Sequence, residues 1–245
     1  MHTIDLGGHR MEMLGHRALW WPSRRALICA DLHLGKDAAF RALGVAIPPG
    51  SDNTTLTRLS AILGDLAADE LIVLGDLFHA RHGQAELRAS PVGRFFQGLG
   101  QRRTLVLGNH DTTATALATE WGFDVVPGGA LRDGIQLCHE PPFDHNFPTL
   151  AGHWHPSVRL PTGAKSSLRL PAFLWKSNLL VLPAFGEFTG TADFPAKSSS
   201  RIFVCLPGEP LPSVREVEPR SLNRDKTGRP SRLRAQSPRP SARGK

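Results

Sequence analysis

The chain has 245 residues, 40% hydrophobic and 21% charged, which fits a soluble globular protein built around one core. Three scattered cysteines, Cys29, Cys138 and Cys205, exclude a disulfide framework and place the expected setting in a reducing cytoplasm, and no stretch reaches the roughly 18 apolar residues of a membrane span. The net charge of +7 belongs to residues 219–245, which hold nine of the 29 Lys and Arg but one of the 22 Asp and Glu; the rest of the chain is close to neutral. ALICADLH (26–33) reads as a buried strand that stops at Asp31. SDNTTLTRLSAILGDLAA (51–68) follows a Pro-Pro-Gly turn, begins with capping residues and sets Leu56, Leu59, Leu63 and Leu66 at helical spacing. ELIVLGDLFH (70–79) and RTLVLGNHD (103–111) are further buried strands, with a helix predicted over about 84–99 and interrupted by Pro91.

Strand, helix, strand, helix, strand is the pattern of an α/β fold with parallel strands, whose ligands collect at the carboxyl ends of the strands. After residue 122 the chain changes to short strands with tight turns: FDVV, ALR, IQLCHE, SSLRLPAFLW, NLLVLPAF and RIFVCL. This half is expected to form a mainly β layer packed on the first half. The expected organisation is one domain over 1–218 and a disordered basic tail over 219–245, rich in Pro, Ser and Arg. That tail is either a solubilising extension or an electrostatic arm for nucleic acid.

Five segments end apolar runs with groups that are costly to desolvate alone: DLH (31–33), GD (75–76), GNHD (108–111), CHE (138–140) and GHWH (152–155). A single DxH or GD at a strand end is ordinarily a turn or helix cap; the ordered coincidence of five carries the inference. They supply seven potential ligands: Asp31, His33, Asp76, Asn109, His139, His153 and His155. Seven groups exceed the needs of one ion and suit two ions about 3.5–4 Å apart that share a carboxylate. Imidazole and oxygen donors without thiolate favour manganese, iron or zinc. Residues two apart in an extended DLH or HWH are expected to point the same way.

The series DLH, GD, GNHD, H and GHWH resembles the calcineurin-like metallophosphoesterase superfamily. DLHLGKDAAFRALGVAIPPG, GDLFH, CHEP (138–141), GHWHP and LPAFGEFTG are similar to its bacterial DNA-ligase-associated branch. The resemblance runs from near the N-terminus to about Cys205 and implies a four-layer αββα sandwich of two mixed β-sheets flanked by helices. It implies two divalent cations, manganese first and zinc or iron next. One would be held by Asp31, His33 and His155, the other by Asn109, His139 and His153, with Asp76 bridging. His79 after the GD and Cys138 before the fourth-motif histidine are small departures; Cys138 would make the site sensitive to oxidation if exposed.

Such a site implies hydrolysis of phosphoric esters by a metal-activated water. By the same resemblance His110 protonates the leaving oxygen, and its neighbour Asp111 orients that imidazole. The substrate expected is a phosphodiester, nucleic acid in DNA repair, with DNA ligase or helicase as possible partners and no membrane. The alternatives are a small-molecule nucleotide phosphodiesterase or phosphomonoesterase, and a non-catalytic repair scaffold. Lys36, Arg41, Arg81 and His82 read as exposed charges near the motifs, His2, His9, His16 and His145 as ordinary surface or packing residues, and the five tryptophans as packing.

Overall fold

A computed structural model describes residues 1–218 apart from 37–38, 41–43, 45, 47–49, 80–86, 89, 112–113, 145, 163–165, 188, 190–191, 194–199 and 209–210. Arg41, Arg81, His82, His145 and the tail 219–245 therefore lie outside the described residues.

The chain opens with an antiparallel meander that the sequence reading did not anticipate: β1 (His2–Leu6), β2 (His9–Leu14) and β3 (Ala18–Trp21). β3 pairs antiparallel with β4 (Ala26–Cys29), and from there β4, β5 (Glu70–Leu74), β6 (Arg102–Val106) and β7 (Phe123–Val126) run parallel, neighbour to neighbour. The meander's alternation is legible afterwards. Ile4, Leu6, Met11 and Met13 point inward, whereas Asp5 and Arg10 point out.

β4 and β5 read as unbroken apolar runs because both faces are covered. Leu27, Cys29, Leu71 and Val73 pack toward α1 (Ser51–Asp65) through Leu56, Leu59, Ile62 and Leu63. The alternate residues Ile28, Ile72 and Leu74 face the second sheet through Leu150, Phe173 and Leu180. The helix expected over 84–99 is described as α2 (Pro91–Gly98), with its earlier part mostly outside the described residues. Pro91 starts α2 and does not interrupt it. Ser90 Oγ accepts the Val92 N–H at 3.1 Å, and proline's fixed φ suits the first turn. α3 (Thr115–Glu120) leads into β7.

The second sheet is mixed and, among the described residues, holds nine strands: β8 (Ala130–Arg132), β9 (Ile135–Leu137), β10 (Thr149–Ala151), β11 (Pro156–Pro161), β12 (Ser167–Lys176), β13 (Leu179–Val181), β14 (Ala192–Asp193), β15 (Arg201–Leu206) and β16 (Ser213–Val217). Two mixed sheets face to face with helices packed on the first make the α/β sandwich that the motifs implied. Among the described residues no helix is long and apolar enough to cross a membrane.

Candidate metal centre

All the strands that feed the site end earlier than the apolar runs suggest. β4 stops at Cys29, β5 at Leu74 and β6 at Val106, so each motif lies in the loop just past a carboxyl end. Asp31, His33, Asp76, His153 and His155 all have positive φ, between 44° and 67°. L-residues adopt this region at a cost, and Asp and His are among those that tolerate it best. The extended alternation expected for DLH and HWH is thus wrong. A left-handed residue at every second position turns the backbone, so His153 and His155 go to different groups although they are two apart, whereas Asp31 and His33 share one.

Asp31, His33 and His155 form one group and Asp76, His139 and His153 a second, each with ligand atoms within 4.8 Å of one another. In the first, His155 Nε2 lies 3.2 Å from Asp31 Oδ1 and 3.4 Å from His33 Nε2. In the second, His153 Nδ1 lies 3.0 Å from His139 Nε2. Asp76 stands between the groups: Oδ2 is 3.8 Å from His33 Nε2, and Oδ1 is 3.5 Å from His139 Nε2.

Several details fit these groups to cations. His139 Nδ1 donates to the Leu74 carbonyl at 3.0 Å, which fixes the tautomer and leaves the Nε2 lone pair facing the cluster. Asp31 Oδ1 is buried without a hydrogen-bond donor. Burial, then the neighbouring His155 and Lys36, push the His33 pKa down to about 2, so its imidazole stays neutral with a lone pair to give. Imidazole nitrogens converging among carboxylate oxygens are an arrangement that a shared cation satisfies.

Three glycines make room for the ligands. A Cβ on Gly75 would collide with the His139 ring, one on Gly108 would lie 2.5 Å from Asp76 Oδ1, and one on Gly152 would lie 2.7 Å from Asp31 Oδ2. Backbone bonds cross between motifs: the Asp31 N–H donates to Gly75 O, the His33 N–H to Asp76 O, and the His153 N–H to Asp31 Oδ2 at 2.9 Å.

Asn109 is exposed, between two residues whose backbones meet Asp76. The His110 N–H donates to Asp76 Oδ1 at 3.0 Å, and its ring Nε2 is 3.8 Å from Asp76 Oδ2, with the side chain half exposed. Asp111 is fully buried, and its pKa is raised to about 6, chiefly by that burial. Both of its oxygens are engaged by backbone, Oδ1 by the Phe78 N–H and Oδ2 by the Gly108 N–H. It braces the second and third motif loops, and Asp76 is the carboxylate that faces the His110 ring.

Sequence reasoning treated His79 only as a departure. Its ring stacks between those of Phe40 (5.7 Å) and His110 (6.0 Å) and meets the His33 ring edge-on, so it belongs to the rim of the site. Burial and the Lys36 ammonium lower its pKa to about 4. Cys138 is buried and its thiol pKa is raised by that burial, so the condition for oxidation sensitivity, an exposed thiol, is not met.

A two-sheet sandwich carrying paired Asp and His clusters at its strand ends defines a metal-dependent phosphoesterase. The chain belongs to the calcineurin-like phosphoesterase family, whose model matches residues 24–209. Among solved structures it is similar to the nuclease MPE of Pseudomonas putida, with 34% identity over 83% of this chain and 96% of that one and a TM-score of 0.72. That likeness agrees with the resemblance to the ligase-associated branch. A protein of unknown function from Aquifex aeolicus (22% identity, 53% of this chain, 78% of that one, TM-score 0.37) and the E. coli phosphoesterase Yfce (13%, 81%, 99%, 0.41) also match. No curated protein matches at the sequence level.

Proposed function

We propose that this phosphoesterase hydrolyses phosphodiester bonds of nucleic acid, DNA strands in repair, at a manganese-preferring pair of sites. The observation that carries the reading is two groups of three Asp and His side chains in a chain that shares 34% identity with a nuclease. Asp31, His33 and His155 would hold one cation, Asn109, His139 and His153 the other, and Asp76 both. Bound there, two divalent cations lower the pKa of water and offset the charge of the phosphoryl oxygens.

The chain's own residues supply the remainder. Asp76 reaches toward both groups and draws the His110 backbone to within 3.0 Å, which holds that imidazole at the rim. Hydrolysis joins water's oxygen to phosphorus and breaks the bond to the leaving oxygen; His110 delivers a proton to that oxygen and is replenished through the solvent by the proton that water releases. Asp111 holds the loops that carry Phe78 and Gly108 and thereby positions His110 indirectly. Three buried free thiols suit a reducing cytoplasm, and a DNA ligase or helicase is the kind of partner that the resemblance implies.

The test is hydrolysis of bis-p-nitrophenyl phosphate beside p-nitrophenyl phosphate by metal-stripped protein resupplied with manganese, zinc or magnesium, with Asp76→Ala as control. Metal-dependent cleavage of the diester, abolished in the variant, is expected. Cleavage of the monoester alone would defeat the phosphodiester reading.

A further inference from the structure

Asp31 is held by bonds from three places. Its N–H donates to Gly75 O at 3.1 Å and its Oδ2 accepts the His153 N–H at 2.9 Å, both within the ligand motifs, while its carbonyl accepts the Gly186 N–H at 3.1 Å. Gly186 belongs to none of those motifs. With φ at 54°, Asp31 occupies a conformation that an L-residue keeps only where its surroundings hold it. That conformation leaves Oδ1, the oxygen without a donor, 3.2 Å from His155 Nε2. Whatever fixes Gly186 therefore bears on the aim of a ligand.

The segment Phe185–Glu187 lies against Ala30–Leu32. The Phe185 N–H donates to Ala30 O at 2.8 Å, Ala184 and Ala30 form a parallel bridge, and a Cβ on Gly186 would collide with Leu32 O, so glycine is what lets the two backbones come this close. Two arginines grip the same segment. Arg58 on α1 donates through Nη2 to Phe185 O and through Nη1 to Glu187 Oε1, and its guanidinium carbon is 4.4 Å from the Phe185 ring centroid. Arg17, in the turn between β2 and β3, sets Nη1 3.4 Å from Gly186 O and Nη2 3.4 Å from Glu187 Oε2. Glu187 is thus the anion on which both guanidiniums converge, and all three side chains are mostly buried, where charge-assisted bonds hold most firmly. Docking of α1 does not need this cluster, since Leu56, Leu59, Ile62 and Leu63 already seat the helix in the core.

We propose that Glu187 is a positioning residue for the first group of ligands: through Arg58 and Arg17 it clamps Phe185–Glu187 onto Ala30–Leu32 and so aims the Asp31 carboxylate at the cation that Asp31, His33 and His155 would share. Residues that orient a ligand from behind change metal affinity by about 10- to 100-fold. The proposal rests on the two-cation reading above and ties one of its two sites to a residue outside the five motifs.

The experiment pairs calorimetric titration of the metal-stripped full chain with manganese and hydrogen exchange of the metal-free chain followed by NMR. In the titration His33→Ala marks the uptake that belongs to the first group, and His139→Ala that of the second. Glu187→Ala should weaken the first at least about tenfold and leave the second within about twofold. Glu187→Gln, which keeps the side chain's length and an acceptor for Arg58, should recover part of the loss, and it carries the comparison if Glu187→Ala does not fold. The Gly186 amide should exchange at least about tenfold faster in the variant, while amides of β5 and β15 match wild type. Equal losses at both groups would show general loosening of the fold and overturn the proposal, as would no loss at either or an unchanged Gly186 amide. If wild type takes up fewer than two ions the two-cation reading fails on its own, and exchange then decides the clamp: a faster Gly186 amide upholds it and an unchanged one overturns it.

Discussion

Replacing Gly75 by alanine tests whether the glycines at the motifs serve the ligands or merely the turn. Gly75 has φ 75°, and the new Cβ would overlap the His139 ring, down to its Cβ at 2.6 Å. Gly134 supplies the control, since its φ is 79° and nothing lies within 4 Å of a Cβ built there. Both substitutions incur the left-handed penalty of about 1–2 kcal/mol. Only Gly75→Ala must also displace His139, which loses its hydrogen bond to Leu74 O, about 1 kcal/mol more, and tilts a ligand whose orientation is worth about 10- to 100-fold in metal affinity. For a chain of this size each kcal/mol lowers Tm by about 2–4 °C. Thermal unfolding of the metal-free proteins and calorimetric titration with manganese separate the two contributions. If Gly75→Ala matches Gly134→Ala in both Tm and metal affinity, the glycine is not making room for a ligand.

Asp111→Ala leaves the buried Phe78 and Gly108 N–H groups without acceptors and should destabilise the fold by about 2–4 kcal/mol, read by denaturant unfolding; a change under about 1 kcal/mol would refute its bracing role. His110→Ala should keep the affinity of the wild type for divalent cations yet lose about 10²- to 10⁴-fold in turnover of an alkyl phosphodiester, whereas unchanged turnover would remove His110 from proton transfer. Deleting residues 219–245 removes nine basic residues and should weaken DNA binding and flatten its dependence on salt, checked by fluorescence anisotropy from 50 to 200 mM salt; equal slopes would show that the tail does not touch phosphate.

The ligand motifs could be read from the sequence because desolvating Asp or His costs too much to occur five times after apolar runs without a common partner. The parallel strands β4 to β6 were legible for a related reason, as burial on both faces leaves no polar alternation to confuse with a helix. The N-terminal meander was harder to see, since His2, Thr3, Glu12 and Arg10 dilute its apolar residues below the look of a strand. Backbone handedness at the ligands has no compositional mark at all. Nothing in DLH or HWH distinguishes a left-handed turn from an extended run, and the error sent His153 and His155 to one face.

The hydrogen bond from His153 to the Asp31 carboxylate joins residues 122 positions apart in the chain. At about 5–20 residues per second of synthesis, Asp31 emerges roughly 6–24 s before the residue that completes its surroundings. During that interval DLH, GD and GNHD stand without the two histidines of GHWH, one of which belongs to each group. Neither group of three is complete until GHWH has been made, so the converging donor sets are a property of the finished fold and of no shorter piece of the chain.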